Sequence, residues 1–346
     1  MIKSMSVITV IHLIFSSSLL LYVFSKNETI NTDIFTRFSD YIYRYNKSYE
    51  FGTYEFKKRE TIFEQTLKRI DWLNKHRNSS QCALYGVNEF SDLTPEEFKN
   101  YVHLQKSTTD ARKIYPSKTK LLKSSLNIKN LPKRVDWREK NVITTVNNQG
   151  QCGACWAFST VETIESMNAL KNGALDSFSV QQVLDCAASP NNGCAGGDTC
   201  LVVEWLYKSG TEIVLEKDYP FVGKDQNCKK NVKSEKSVKI ARNFTCDSFV
   251  GEEHLMLLHI AHHGPLIVAV DATGWQDYLG GIIQYNCDNE RNHAVQIVGY
   301  DISGEIPYYI VRNSWGTQFG NNGYLNIVIG KNMCRIAEEV TAVDVL

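Results

Sequence analysis

The 346-residue chain lacks any imbalance of charge, with 38 Lys and Arg against 38 Asp and Glu. No overall field draws in nucleic acid or an anionic membrane, so neither is expected as a partner. Internal repeats and low-complexity tracts are also missing. With 7 prolines, 21 glycines and 43% hydrophobic residues, the composition fits neither collagen nor a disordered chain. The pair Cys152-x-x-Cys155 has no second pair at matching spacing, because Cys194 and Cys200 stand too far apart; this disfavours zinc. No short βαβ pattern surrounds it, and Trp156 follows the pair instead of preceding it, which disfavours a redox dithiol. No metal and no other cofactor is expected.

What is present points to the secretory route. Ten cysteines are many for a reducing compartment, and Asn-x-Ser/Thr sites stand at Asn27, Asn46, Asn78 and Asn243 as candidate glycosylation positions. Lys3 precedes an apolar stretch from Val7 to Phe24, interrupted by Ser16, Ser17 and Ser18. This predicts a signal peptide over residues 1–25, with an uncleaved membrane anchor as the alternative. Apolar residues at Ile34, Phe35, Phe38, Tyr41, Ile42 and Tyr45 follow a helical stripe. A second helix is predicted from Tyr54 to His76, with Phe63, Ile70 and Leu73 facing one way and Glu55 able to pair with Arg59. The stretch from Gln105 to Asn130 is rich in Lys, Ser and Thr and reads as an exposed linker.

From Leu131 the texture becomes aromatic and punctuated by glycine. A helix is predicted from Cys155 to about Leu170, on Ala157, Phe158, Val161, Ile164 and Met167. Strands are predicted at Leu266–Val270, Ala294–Tyr300, Tyr308–Val311 and Tyr324–Ile329. Helices lead and strands follow, which predicts an α+β pair of lobes. The basic run from Lys229 to Lys239 reads as a solvated loop in preference to a polyanion site.

The densest signal is Gln149-Gly-Gln-Cys152-Gly153-Ala154-Cys155-Trp156, followed at once by the helix. A thiol at a helix N-terminus feels the positive end of the dipole, which favours the thiolate. Of the 8 histidines, His293 stands out because it opens a strand-like run. Asn313 lies further on, in Val311-Arg312-Asn313-Ser314-Trp315-Gly316, where its carbonyl could orient the imidazole toward sulfur. Singly, each of these residues is more often structural. Together they predict nucleophilic chemistry at Cys155.

Cys-Gly-Ala-Cys-Trp, with His and Asn downstream, resembles the signature of the papain and cathepsin family. The likeness spans nearly the whole chain. Glu55, Arg59, Phe63, Ile70 and Asn74 resemble the family's propeptide helix pattern, with Thr66 where that pattern has Asn. Gly86-x-Asn88-x-Phe90-x-Asp92 resembles its second propeptide motif. Leu131-Pro132 followed by Val135-Asp136-Trp137 resembles a mature N-terminus, and Gly193-Cys194-Ala195-Gly196-Gly197 a substrate-binding loop. The run around Trp275 to Gln284 resembles one branch of the cathepsins in particular.

The resemblance implies a papain-like α+β fold, with a helical lobe and a β-barrel-like lobe around an active-site cleft. It implies an inhibitory helical propeptide over 26–130 and a mature domain over 131–346. It implies a cysteine endopeptidase acting on proteins and peptides, held inactive by its own propeptide, with cystatin-type inhibitors as partners and a lysosomal or secreted location. Cys155 would be the nucleophile, His293 the base, Asn313 its orienting group, Gln149 an oxyanion donor, and Trp315 a shield. Gly196 and Gly197 would meet the substrate backbone. Asp198, Thr199, Ala269 and Asn292 would wall a side-chain pocket floored by Glu339, whose carboxylate would accept a basic side chain; the alternative is a solvated Glu339. Cys152 would pair with Cys194, Cys186 with Cys228, and Cys287 with Cys334. The states of Cys82, Cys200 and Cys246 stay open. Acid should trigger self-cleavage in the linker at about pH 4–5 by protonating paired carboxylates near Asp92. The alternative function is a silent or propeptide-type protease inhibitor.

Overall fold

A computed structural model describes residues 33–101 and 131–346, apart from residues 188, 243, 288 and 289. The signal-peptide segment, Asn27, the linker 105–130 and Asn243 lie outside the described residues. The chain divides into two compact units, the first ending at Arg69 and including Ser91–Leu93, the second comprising Ile70–Phe90 and Thr94–Leu346.

The first unit is helical. Residues 33–44 form α1, and α2 runs Tyr54–Lys75, carrying the chain past the unit boundary. The stripe on α1 buries Phe38 and Tyr41 against Phe56 and Phe63 of α2, with ring centroids 4.9–5.5 Å apart. Glu55 accepts from Arg59 Nε at 2.6 Å, and Arg59 Nη1 donates to the Asp92 carbonyl at 2.9 Å. The fully buried Asp92 carboxylate accepts from Tyr49 Oη at 2.6 Å and pairs with Lys47 Nζ at 3.1 Å. A buried carboxylate needs such partners, which explains why Asp92 ends its motif.

In the second unit, Asn74 near the end of α2 clamps Tyr85 from both sides: Nδ2 donates to its carbonyl at 2.7 Å and Oδ1 accepts from its N–H at 3.1 Å. Strand β1, Leu84–Tyr85, is thereby placed beside β7, Tyr278–Gly280. Ala83 N–H donates to the Ile282 carbonyl at 2.9 Å, Ile282 N–H donates to the Gln81 carbonyl at 2.8 Å, and Asn88 Nδ2 donates to the Gln276 carbonyl at 2.6 Å. At Gly86 a Cβ would sit 2.4 Å from the Leu279 side-chain tip, so a larger residue there would have to displace that leucine. A short helix α3, Pro95–Tyr101, follows; Thr94 and Glu97 cap it reciprocally.

The remainder combines helices α4 (Cys155–Asn172), α5 (Val180–Cys186), α6 (Thr199–Ser209) and α7 (Glu253–His262) with an eight-stranded sheet. Its main path runs β5 (Thr245–Asp247), β12 (Val340–Ala342), β6 (Leu266–Val270), β9 (His293–Asp301), β10 (Tyr308–Arg312), β11 (Tyr324–Val328) and β8 (Ile282–Ile283), with β2 (Arg134–Asp136) also paired to β9. Strands β3 (Ile213–Val214) and β4 (Ser237–Val238) pair separately. Phe158, Val161 and Ile164 of α4 join Val183, Val202, Val203 and Leu206 in one apolar core. The other face of α4 packs on β9, which buries Glu162 and Glu165 as fully as the apolar side. This α+β arrangement agrees with the sequence pattern. Disulfides join Cys152 to Cys194, Cys186 to Cys228, Cys287 to Cys334 and also Cys200 to Cys246, the pair left open by sequence. Cys82 and Cys155 are free and buried.

Candidate active site

Cys155 is the first residue of α4, whose preceding residue Ala154 offers no side-chain cap. The first N–H groups of a helix have no partner within it, so those of Cys155 and Trp156 are free to meet the sulfur. Bonds to the thiol from the backbones of Ala294, Trp156 and Cys155 favour the thiolate, but full burial outweighs them and pushes the Cys155 pKa up to about 12. Burial therefore favours the neutral thiol, where the helix dipole alone suggested a thiolate.

His293 opens β9, next to Ala294. Its Nε2 meets Asn313 Oδ1 at 2.7 Å, while the buried Nδ1 has no hydrogen-bond partner among the described residues. Burial lowers its pKa to about 4, and the bond to Asn313 opposes this in part. Burial thus disfavours the charged form of the imidazole as it does that of the Cys155 thiol. Trp315 stacks on the ring at 4.8 Å and Trp275 meets it edge-on at 6.0 Å. Phe90 and Phe98 each pack edge-on against Trp315 at 5.6 Å, so the segment that follows α2 covers the indole that backs His293.

Gln149 is tied into the same framework. Its N–H donates to the Ser314 carbonyl at 2.9 Å, its Oε1 accepts from Ser314 Oγ at 2.6 Å, and its Nε2 donates to the Cys152 carbonyl at 3.0 Å. An amide nitrogen carries two hydrogens, so one remains for another acceptor. The Cys152–Cys194 disulfide and the bond from Gly153 N–H to the Cys194 carbonyl, 2.9 Å, place the loop 193–197 beside this turn. Gly196 has φ +115°, open in practice to glycine alone. At Gly197 a Cβ would lie 2.5 Å from the Trp156 ring, so packing requires glycine there whatever approaches from outside.

Asp198, Thr199, Ala269 and Glu339 come together, but not as an open acidic pocket. Asp198 Oδ1 caps α6 through Cys200 and Leu201, both at 2.9 Å. Thr199 Oγ1 donates to Glu339 Oε1 at 2.9 Å, and Ala269 N–H donates to the Glu339 carbonyl at 3.1 Å. Arg291 forms a short ion pair with Glu339 Oε2. Burial first, then the nearby Asp198 charge, raise the Glu339 pKa against the pull of Arg291. The expected free carboxylate is thus corrected: it is buried and already neutralised by a cation 48 positions away, a partner that no local spacing reveals. Asn292 does not offer its amide outward either, since it binds Thr273 Oγ1 at 2.8 Å and Ala272 N–H at 2.9 Å. Asp198, Cys200 and Glu339 lie within ligand reach of one another, yet the Cys200 sulfur is spent in a disulfide. Asn46 and Asn78 are exposed.

Residues 131–343 match the papain family cysteine protease family, and residues 38–98 the cathepsin propeptide inhibitor domain. The chain is 41% identical to cathepsin O of Mus musculus over 297 residues, which covers 85% of this chain and 93% of that one. It is 41% identical to cathepsin O of Homo sapiens over 285 residues, 82% and 87% of the two chains. Among solved structures, the digestive procathepsin L2 proteinase of the Tenebrio molitor larval midgut superposes with TM-score 0.78 at 31% identity, over 90% of this chain and 99% of that one. The recombinant stem bromelain precursor gives 0.77 at 28% identity with the same coverage. The branch that the sequence around Trp275 resembles is that of cathepsin O. The chain therefore belongs to the papain family of cysteine proteases and carries, ahead of its protease domain, a cathepsin propeptide inhibitor domain.

Proposed function

We propose that Cys155 is the nucleophile of this cysteine endopeptidase, with His293 as its base, Asn313 as the group that orients the ring, and Gln149 as an oxyanion donor. The supporting observation is the 2.7 Å bond between His293 Nε2 and Asn313 Oδ1, which leaves Nδ1 as the ring nitrogen able to exchange a proton with sulfur. Nδ1 takes the Cys155 proton as sulfur attacks the scissile carbonyl carbon. The oxyanion is met by the Cys155 N–H and the second Gln149 Nε2 hydrogen, each donor contributing about 2–4 kcal/mol. The imidazolium passes its proton to the departing amine, leaving a thioester. Nδ1 then deprotonates water, which attacks the thioester and releases the acid and the thiol.

The propeptide inhibitor domain restrains the protease domain of the same chain. In this reading residues 1–25 are a signal peptide, 26–130 the propeptide and 131–346 the mature enzyme, delivered by the secretory route to the lysosome or the outside and open to cystatin-type inhibitors. No helix among the described residues is long and apolar enough to cross a membrane. Removal of the segment that bears Phe90 and Phe98 admits water around Trp315 and His293 and lessens the burial that disfavours charge on the pair. Gly196 and Gly197 receive the substrate backbone as an added strand, and the pocket at Thr199, Ala269 and Asn292 favours apolar side chains while Arg291 covers Glu339.

The test is maturation at about pH 4–5, where acid activation is expected. A Cys155→Ser precursor incubated alone should remain full length while the unaltered chain is cut within 105–130. Normal maturation of the variant without added protease would remove Cys155 from the nucleophile's role.

A further inference from the structure

Arg312 is the last residue of β10, directly before Asn313, and it is fully buried. A guanidinium taken out of water is costly, and here both Nη atoms are met while the buried Nε has no hydrogen-bond partner among the described residues; apolar residues in its place would often serve stability as well or better. Its partners come from three different stretches of chain. From α4, Glu162 Oε1 pairs with Nη2 at 3.2 Å. From β9, Gln296 Oε1 accepts from Nη1 at 3.4 Å, while Gln296 Nε2 reaches back to the Glu162 carbonyl at 3.2 Å and Ser166 Oγ at 3.0 Å. From the segment before Gln149, Thr144 Oγ1 accepts at 3.1 Å and the Thr145 carbonyl accepts a short bond. Asn147 of that segment donates to Glu162 at 3.1 Å, and its carbonyl receives the Gly316 N–H at 2.8 Å.

These stretches carry the reacting groups. Glu162 lies seven residues past Cys155 on α4, Gln296 three past His293 on β9, the 144–147 segment runs into Gln149, and Arg312 adjoins Asn313. We propose that Arg312 is a positioning residue for peptide-bond cleavage. Its planar fork, with several donors in fixed directions, holds the chain stretches bearing Cys155, His293, Asn313 and Gln149 in one register. The proposal rests on the assignment of those four residues. Displacement of about 1 Å between reacting groups lowers turnover by about a hundredfold, so a clamp at this junction acts on the chemical step although it touches no substrate.

The experiment uses the acid-activated full-length chain, with active sites titrated, and compares Arg312→Lys with the double variant Glu162→Gln/Arg312→Met, which removes the cation together with its carboxylate. The expected result in both is kcat lowered about 10- to 100-fold at KM within about twofold. The pH limbs of Cys155 alkylation should move as His293 loosens, and lysine should restore only part of kcat because a point charge cannot reach Thr145, Thr144 and Gln296 together. Unchanged kcat and an unchanged alkylation profile would overturn the proposal. So would a lowered melting temperature with both kinetic readouts intact, in Arg312→Lys even if the double variant does not fold. An unaltered enzyme that is never labelled at Cys155 would instead count against the assignment of the reacting groups.

Discussion

Glu165 gives a quantitative handle on this fold. It is fully buried on α4, accepts from Thr144 Oγ1 at 2.5 Å and from Phe178 N–H at 2.8 Å, and forms no ion pair among the described residues, where Arg312 pairs with Glu162. Burial raises its pKa to about 7, against opposing bonds from Thr144 and Phe178 and the Arg312 charge. In the unfolded chain it titrates near 4.5. Between those values the folded state holds a proton that the unfolded state has released, so the contribution of Glu165 to stability is complete below about pH 4.5 and is lost as pH rises to about 7. The gap between the two corresponds to about 3 kcal/mol. Histidines work in the other direction: burial lowers His259 to about 3 and His293 to about 4, which removes stability as pH falls below about 6.5. The total pH dependence is therefore a contest, and only a difference isolates Glu165. The assay is urea unfolding of the Cys155→Ser precursor with and without Glu165→Gln, from pH 4.5 to 7.5. The glutamine variant should gain about 3 kcal/mol relative to its parent across that range. Stability curves that stay parallel would refute the reasoning.

Other outcomes follow from named contacts. Arg291→Ala should expose the Glu339 carboxylate and raise the preference for Arg over Leu two residues before the scissile bond, whereas Glu339→Ala alone should leave it nearly unchanged; fluorogenic dipeptides read both. Gly197→Ala must move the Trp156 ring, at a cost of about 1–3 kcal/mol, which thermal unfolding and indole fluorescence would register. Phe98→Ala removes a fully buried ring from Trp315 and should weaken the propeptide's hold by about 3–5 kcal/mol, shortening the lag before acid activation in a progress curve.

Long, strongly patterned elements were legible in the sequence, and the reason is visible in their burial. Helix α2 begins where periodicity placed it, and the four long strands fall within one or two residues of expectation. Strands of two or three residues, such as β1, β7 and β8, are too short for alternation to show and exist because a neighbouring chain pairs with them. The polar residues of α4 carry no sign of their burial in the sequence. Glu162, Glu165 and Ser166 look like a solvent face, yet β9 and Arg312 cover them. At the site, motif and order single out Cys155, His293 and Asn313, and the structure sets His293 against Asn313; the burial that disfavours charge on thiol and imidazole could not be read, since it is a property of the packed chain. The same holds for Arg291 on Glu339 and for Cys200 with Cys246, contacts between residues far apart in sequence.

Reaction with an epoxysuccinyl inhibitor, followed by mass mapping of the labelled peptide before and after acid activation, addresses the central claim most directly. The precursor, with charge on thiol and imidazole disfavoured by burial, should react slowly, and the activated enzyme should be labelled at Cys155 and lose activity in proportion. His293→Ala should abolish that labelling. A label elsewhere, or equal labelling of Cys155 with and without His293, would contradict the account.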